Sequence, residues 1–294
     1  MRLFVTGSYG QLGTDLQRVA AERGHDIAAA VDVDSLDITD LDAVRAALAA
    51  SPADVLINAA AFTAVDAAEE KEELAYAVNA TGPANLATAC AETGTQLVHV
   101  STDYVFAGDR VGGPPYDVDD VAEPRSAYGR TKLAGDRLVR ENHPDGSYIV
   151  RTAWVYGGGG ANFVKTMVRL SGSNETVSVV DDQRGSPTWS LNLAQGLIEI
   201  AASSAAPGTY HLTGGGDCTW FDFTKAIFEE LGLDPARVLP TTSEAFVRPA
   251  PRPAYSVLSP RAWSEAGLPP APHWRDALAQ AFADPDVGPK LRAG

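Results

Sequence analysis

Residues 2–13 read Arg2-Leu-Phe-Val-Thr-Gly7-Ser-Tyr-Gly10-Gln-Leu-Gly13, and this stretch decides the fold. A short apolar run, typical of a strand, precedes Gly7, and a helical pattern follows Gly13. Glycines in that setting allow a tight turn, close approach of the backbone to a pyrophosphate and close helix packing. The helix N-terminus would add amide donors and partial positive charge. The stretch therefore predicts a dinucleotide-binding loop at Gly7, Gly10 and Gly13.

The next apolar run, Ile27–Val31, ends at Asp32. An acidic residue about 20 positions after such a glycine loop accepts hydrogen bonds from the adenosine ribose. Asp32 therefore favours NAD over NADP, although Asp34 and Asp37 are close enough in sequence to take the same role.

Further apolar runs alternate with helical patterns, which predicts a parallel, doubly wound α/β sheet of the Rossmann type. From about Asn162 the alternation becomes irregular, and we expect a second, smaller α/β lobe there that binds substrate. We predict a dinucleotide-binding domain at 1–155 and a lobe at 156–294 that returns some elements to the first domain. The later runs interpreted as strands are 54–58, 96–100 and 148–152. The segments interpreted as helices are 41–50, before the first of these strands, and 69–78 and 82–93, between the first and the second.

Three side chains are candidates for catalysis. Tyr128 and Lys132 are four residues apart, so on a helix they would lie on one face. An ammonium near a phenol lowers the phenol's pKa and brings it closer to the range of general acid-base catalysis. Thr102 follows the strand pattern at 96–100, and a hydroxyl at the carboxyl end of a central strand can meet a substrate carbonyl. An isolated Tyr-x-x-x-Lys is also compatible with an ordinary exposed helix.

The composition excludes several classes of partner. The net charge is −15 with few lysines, so neither a nucleic-acid backbone nor an anionic membrane surface is an expected partner. Cys90 and Cys218 are the only cysteines and the five histidines are scattered, so we expect no disulfide framework and no metal site. The N-terminus has the pattern of a strand rather than a signal peptide or membrane span, which predicts a cytoplasmic location.

Several short motifs occur in a specific joint order. They are Gly10-Gln-Leu-Gly13, Asn58-Ala-Ala-Ala-Phe-Thr-Ala-Val-Asp66, Val78-Asn-Ala80, Ser101-Thr-Asp-Tyr-Val-Phe106, Tyr128 to Gly135, Arg151-Thr-Ala-Trp-Val-Tyr-Gly157 and Asp182-Gln-Arg-Gly-Ser-Pro-Thr188. Taken together, they resemble the extended short-chain dehydrogenase/reductase family over nearly the whole chain. Within that family, the chain is most similar to enzymes that reduce the 4-keto group of a dTDP-linked 6-deoxy sugar.

The resemblance implies a role for each matching position. Thr102, Tyr128 and Lys132 correspond to the catalytic residues, and Thr102, Asp103 and Trp154 to contacts with the nucleotide-sugar substrate. The cofactor, NADPH or NADH, would contact the glycine loop, Tyr128 and Lys132. It would also contact Gln11, Leu12, Asp32, Asp37, Ile38, Ala61, Phe62 and Thr63. A homodimer is the assembly that the resemblance suggests, and no metal is expected.

Two other functions are compatible with the same motifs. One is a reductase or epimerase of another nucleotide sugar, because the glycine loop and catalytic residues are shared across the family. The other is a non-catalytic regulatory subunit that binds a dinucleotide. The presence of Thr102, Tyr128 and Lys132 together favours catalysis over regulation.

Overall fold

The computed structural model describes residues 1–294, and twelve strands form in it. They are β1 (Arg2–Thr6), β2 (Asp26–Val31), β3 (Val55–Asn58), β4 (Gln96–Thr102), β5 (Ser147–Thr152), β6 (Val155–Tyr156), β7 (Val177–Val180), β8 (Arg184–Gly185), β9 (Thr188–Trp189), β10 (Gly208–His211), β11 (Cys218–Thr219) and β12 (Val238–Thr241).

Twelve α-helices connect or cover these strands. They are α1 (Gln11–Glu22), α2 (Leu41–Ala50), α3 (Val65–Glu70), α4 (Glu72–Tyr76), α5 (Gly82–Thr93), α6 (Ala127–Asn142), α7 (Phe163–Ser173), α8 (Ser190–Ala202), α9 (Trp220–Glu230), α10 (Arg261–Glu265), α11 (Trp274–Ala283) and α12 (Gly288–Arg292).

Six strands form one parallel sheet in the order β10-β5-β4-β3-β1-β2. The chain first moves outward from β1 to β2 and then returns to the other side of β1 at β3. In an open α/β sheet, ligands bind at such a reversal, outside the carboxyl ends of the strands. The predicted parallel, doubly wound sheet is confirmed, and its reversal point adjoins the glycine loop.

The two faces of the sheet are buried by different helices. Leu3 and Val5 of β1 belong to a core cluster with residues of α1 and α8. Phe4, between them, points to the other face and packs with residues of α2, α5 and α6. Successive side chains of a strand point to opposite faces, and burial of each large apolar side chain contributes roughly 1.5–3 kcal/mol. The sheet is therefore held from both sides, which fixes the positions of its strand ends.

One predicted helix differs in the structure. Residues 69–78 were expected to form a single helix, but Lys71, with φ −125° and ψ 43°, separates α3 from α4. A π-helical turn at Ala77–Thr81 then leads into α5. Asn79, in that turn, bonds through its amide to both backbone groups of Phe62 and to the Thr131 hydroxyl. The wider turn thus ties the segment after β3 to helix α6.

Residues after 156 divide between the central layers and an outer lobe. Strand β10 pairs with β5, and α8 packs on α1. In the outer lobe, β7 pairs in parallel with β12 and α9 packs against both. The short segments β6 and β9 pair with each other beside the carboxyl end of β5. The boundary at residue 155 stays a prediction.

Candidate active site

A cavity of about 820 Å³ lies at the carboxyl ends of the central strands. Its walls come from the glycine loop, the segments after β2, β3, β4 and β5, and helix α6. Every residue predicted for the site lines this cavity except Phe62. The lining members are Gly7, Gly10, Gln11, Leu12, Gly13, Asp32, Asp37, Ile38, Ala61, Thr63, Thr102, Asp103, Tyr128, Lys132 and Trp154.

The glycine loop forms one edge of the cavity and is closely packed on itself. Gly7 has φ +68°, in the left-handed region that favours glycine. A Cβ at Gly13 would lie 2.1 Å from the carbonyl oxygen of Gly7. Because this backbone is compact, the first turn of α1 lies directly beside the cavity. Its amide groups can hold a pyrophosphate, as a helix N-terminus does in dinucleotide-binding folds.

The acidic residues after β2 form the adjoining wall. One carboxylate oxygen of Asp32 accepts a 2.9 Å bond from the Tyr9 amide, which joins this wall to the glycine loop. Asp37 accepts bonds from the amide and hydroxyl of Thr39, and these bonds lower the pKa of its carboxyl. Lys132 is the only cationic residue among those that line the cavity. A ribose with free hydroxyls therefore fits this wall better than a ribose phosphate.

The segment after β3 adds small residues to the floor of the cavity. Ala61 and Thr63 line it. Phe62 does not, because its backbone bonds to Asn79 and its side chain packs with Ala68, Ala75 and Ala127. The sequence motif contained Asn79, but no local signal indicated that it anchors this segment.

Helix α6 presents Tyr128 and Lys132 toward Thr102. Ser126 caps the helix by accepting a 3.1 Å bond from the Gly129 amide. A Cβ at Gly129 would lie 2.2 Å from the Tyr104 carbonyl oxygen, so glycine allows the first turn of α6 to approach the segment after β4. The predicted group of Thr102, Tyr128 and Lys132 is therefore brought to one cavity.

The electrostatics of this group differ from the expectation that Lys132 lowers the pKa of Tyr128. Burial raises the pKa of Tyr128, and the nearby Thr102 hydroxyl opposes only part of that rise. The Lys132 Nζ donates a 2.7 Å bond to the Val100 carbonyl oxygen rather than to the phenol. Burial also lowers the pKa of Lys132 to about 8, against the opposing charge of Asp136. Tyr128 is consequently a neutral phenol that can donate a proton.

Asp103 is a buried carboxyl next to Thr102. Its Oδ1 accepts a 2.9 Å bond from the Thr102 hydroxyl. Burial raises the pKa of Asp103 to about 6, although the nearby Ser256 and Thr102 hydroxyls oppose that rise. The Thr102 oxygen also accepts a 3.2 Å bond from the Tyr104 amide. The Thr102 hydroxyl can therefore donate either to Asp103 or to the phenol oxygen of Tyr128.

An aromatic wall closes the side of the cavity next to the outer lobe. Trp154 is the only non-glycine residue with positive φ, at 49°. Its ring stacks on Trp220, which the sequence analysis did not identify, and Trp220 in turn contacts Phe163. Leu193 of α8 also reaches the cavity. These positions are far apart in the sequence and meet only when the outer lobe folds against the central sheet, so no local sequence pattern indicates their contact.

These features fit a nicotinamide dinucleotide. In the glycine loop, a side chain at Gly7 or Gly13 would collide with neighbouring backbone. Acidic and small residues line the rest of the cavity along the strand ends. No group of three or more His, Cys, Asp or Glu side chains has an arrangement that could hold a metal ion. None of the helices combines the length and the apolar character needed to cross a bilayer.

A family model and two curated proteins similar to this chain describe the same family. The family model described as the RmlD substrate binding domain matches residues 1–286. A dTDP-4-dehydrorhamnose reductase of Streptomyces griseus is 50% identical over 285 residues, which are 96% of this chain and 93% of that protein. The reductase of the same name from Mycobacterium tuberculosis H37Rv is 48% identical over 97% of this chain and 93% of its own length.

A solved structure is also similar. The dTDP-4-dehydrorhamnose reductase of Bacillus anthracis, in complex with NADP, superimposes with a TM-score of 0.91 at 40% identity. The match covers 96% of this chain and 98% of that one.

Proposed function

Since the chain belongs to the family of the RmlD substrate binding domain and of dTDP-4-dehydrorhamnose reductases, we propose a function for its cavity. The protein is an oxidoreductase that uses NADPH or NADH. It reduces the C4 ketone of dTDP-4-dehydro-6-deoxy-L-mannose and forms dTDP-L-rhamnose. The observation that carries this proposal is the convergence of Thr102, Tyr128 and Lys132 on a cavity that also contains the glycine loop.

The reduced nicotinamide supplies a hydride to the ketone carbon when it is bound. Negative charge then develops on the carbonyl oxygen, and this charge needs hydrogen-bond donors and a proton. Tyr128 is the proton donor in our assignment, because burial keeps its phenol neutral. Thr102 can turn its hydroxyl from Asp103 to the phenol oxygen and so stabilise the phenolate that remains after proton donation. Lys132 contributes an amine held by the Val100 carbonyl oxygen at the same cavity.

The glycine loop and the first turn of α1 would hold the cofactor's pyrophosphate, and Asp32 its adenosine ribose. Asp37, Ile38, Ala61 and Thr63 would line the path of the dinucleotide along the strand ends. Phe62 would support this path from behind through Asn79 rather than touch the cofactor.

The substrate would lie between the catalytic group and the aromatic wall. Asp103 and Trp154 both line the cavity on the side away from the glycine loop. A sugar or thymine ring can lie against the indole face of Trp154, because aromatic rings offer flat apolar surface with little conformational freedom to lose. We assign the substrate lobe to residues 156–294, excluding the elements that join the central layers.

The decisive experiment follows NADPH or NADH oxidation with enzymatically generated dTDP-4-dehydro-6-deoxy-L-mannose, and identifies the product by NMR. Formation of the L-rhamnose configuration at C4 is the expected result. Cofactor binding with no turnover of any nucleotide sugar would contradict catalysis and favour a regulatory subunit.

A second substrate deserves the same assay. A relative in Streptomyces niveus, named dTDP-4-keto-6-deoxy-D-glucose reductase, is 45% identical over 96% of this chain. The D-gluco ketone is therefore the competing substrate, and kcat/KM for both sugars decides between them.

The proposed enzyme is cytoplasmic and forms a homodimer. A cytoplasmic enzyme follows from its soluble substrate and cofactor, and a homodimer follows from the family resemblance alone. Light scattering of the purified protein tests the homodimer.

A further inference from the structure

The amine of Lys132 lies in a buried polar network beneath the cavity. Its Nζ donates to the Val100 carbonyl oxygen at 2.7 Å and lies 3.4 Å from Nε2 of His99. Lys132 is 1% exposed and His99 is fully buried. Because both side chains are buried, an unfavourable contact between them is costly.

The orientation of the Asn58 amide determines which ring nitrogen of His99 carries the proton. Asn58 Oδ1 accepts bonds from the Thr6 hydroxyl at 2.7 Å and from the Ala60 amide at 3.1 Å. A backbone N–H can only donate, so the atom facing Ala60 must be the amide oxygen. The Asn58 nitrogen then faces Nδ1 of His99 at 3.0 Å. Since that NH₂ group is a donor, Nδ1 must be the acceptor.

A neutral imidazole with an accepting Nδ1 carries its proton on Nε2. That N–H points to the region shared by the Lys132 amine, at 3.4 Å, and Asp136 Oδ1, at 4.0 Å. A second proton on Nδ1 would oppose the Asn58 donor. Burial and the charge of Lys132 also lower the pKa of His99. His99 therefore stays neutral and cannot accept a hydrogen bond from the lysine.

We propose that His99 is a positioning residue for Lys132: Asn58 locks its tautomer, so that its Nε2–H faces the amine held by the Val100 carbonyl oxygen and opposes a positive charge there. This inference rests on the proposed function, because it deepens the role of Lys132 in that reaction. A hydrogen-bond acceptor beside Lys132 would stabilise its ammonium form. The Nε2–H donor of His99 does not, so Lys132 loses its proton more easily beside this tautomer.

The other charges around Lys132 are few. Asp136, one turn further along α6, favours the ammonium. Its Oδ2 accepts a 3.1 Å bond from Arg151, while its Oδ1 has no partner. Tyr128 lies one turn earlier on the same helix and is neutral. Burial still dominates, and it lowers the pKa of Lys132 to about 8, so the amine can change its charge near the pH at which enzymes work.

The test compares the wild-type protein with His99→Gln. A glutamine amide can rotate its oxygen toward the ammonium, which the locked imidazole cannot do. Ile149→Val is the matched control, because Ile149 is the buried neighbour of His99 on β5 and makes only packing contacts. The chain has five lysines and five histidines, so their NMR signals can be resolved with selective labels and assigned with Lys132→Arg and His99→Gln.

Two readouts need no substrate. Long-range ¹H–¹⁵N spectra of labelled histidine should show His99 as the Nε2–H tautomer from pH 6 to 9. A titration of the lysine ¹³Cε signals should place the Lys132 midpoint in His99→Gln about one pH unit higher, a tenfold change in the equilibrium, with Ile149→Val as in wild type.

An Nδ1–H tautomer, a charged His99 at neutral pH or an unchanged Lys132 midpoint in His99→Gln would each overturn the inference. The tautomer spectrum of the wild-type protein decides the question even if His99→Gln does not fold. Turnover of the sugar is measured separately, so failure of the proposed function is distinguishable from failure of this inference.

Discussion

Trp154 stacks on Trp220, with ring centroids 3.4 Å apart and planes inclined by 7°. Trp154 lines the cavity although its backbone has φ 49°, a conformation that bulky residues rarely adopt. Gly185 lies against the same indole, and a Cβ there would be 2.6 Å from its Cε2 atom. Surrounding contacts of this kind are what maintain an unfavourable backbone conformation. The indole is therefore fixed from behind before any substrate binds.

We predict that Trp220→Leu raises KM for the nucleotide sugar by up to about tenfold, because an aromatic pair contributes roughly 0.5–1.5 kcal/mol beyond its buried area. KM for the cofactor should not change, since Trp220 supports Trp154 and has no ring contact with the glycine loop. Phe221→Leu removes a neighbouring ring on the same helix and serves as the control. Equal changes in the two substrate KM values would contradict the supporting role of Trp220.

Tyr128→Phe should bind cofactor normally but lose at least the ~10²-fold in kcat that removal of an acid-base group costs. The phenylalanine ring retains the edge-on contact with Tyr104, where the centroids are 5.5 Å apart, so the helix should keep its position. Fluorescence titration with the reduced cofactor measures binding, and stopped-flow absorbance measures turnover. Near-normal turnover by this variant would remove Tyr128 from the mechanism.

The sequence was sufficient for the regular part of the fold. The strands around Val5, Ile57 and Val98 are continuous apolar runs, as strands buried on both faces must be, and the glycine loop and the Tyr128 helix carry local signals. The electrostatics could not be predicted. Spacing places Lys132 on the same face as Tyr128, but only the packed structure shows that its amine bonds to Val100. The stack of Trp154 on Trp220 depends on how the outer lobe packs against the segment after β5, and no local sequence pattern indicates that packing.

Cofactor preference follows from charge at the wall formed after β2. Asp32 lines the cavity, and the only cation there is Lys132 at the catalytic end, so nothing offsets the charge of a 2′-phosphate. We predict at least tenfold higher kcat/KM with NADH than with NADPH. Val33 is 80% exposed at this wall, so Val33→Arg should reduce that preference without loss of packing. Val33→Gln introduces a long polar side chain without charge and should leave the preference for NADH unchanged.

The glycine loop should not tolerate even a methyl group at Gly13. The added Cβ would lie 2.1 Å from the Gly7 carbonyl oxygen, which is backbone and has little freedom to move. Gly13→Ala should lower the free energy of unfolding by about 1–3 kcal/mol, the usual cost of overpacking, and weaken dinucleotide binding. In contrast, Gly172→Ala in α7 meets no atom within 4 Å and should stabilise by roughly 0.5–1 kcal/mol. Urea unfolding and cofactor titration of both variants measure the difference.

Asp103 should make the protein less stable as pH rises. Its pKa is about 6 in the folded protein and about 3.9 when unfolded, so the folded state holds its proton more tightly. Stability is then greatest below pH ~4 and falls as pH rises through about 6, by ~3 kcal/mol in total once pH ~7 is reached. Asp103→Asn keeps an oxygen that accepts from Thr102 but never ionises, so its Tm advantage over wild type should grow across that interval. Asp26→Asn, at an exposed carboxyl, is the control for loss of a carboxylate charge outside the site. A Tm difference for Asp103→Asn that is constant from pH 4 to 7 would mean that Asp103 is already ionised at the lower end, and that the Thr102 hydroxyl bond outweighs burial.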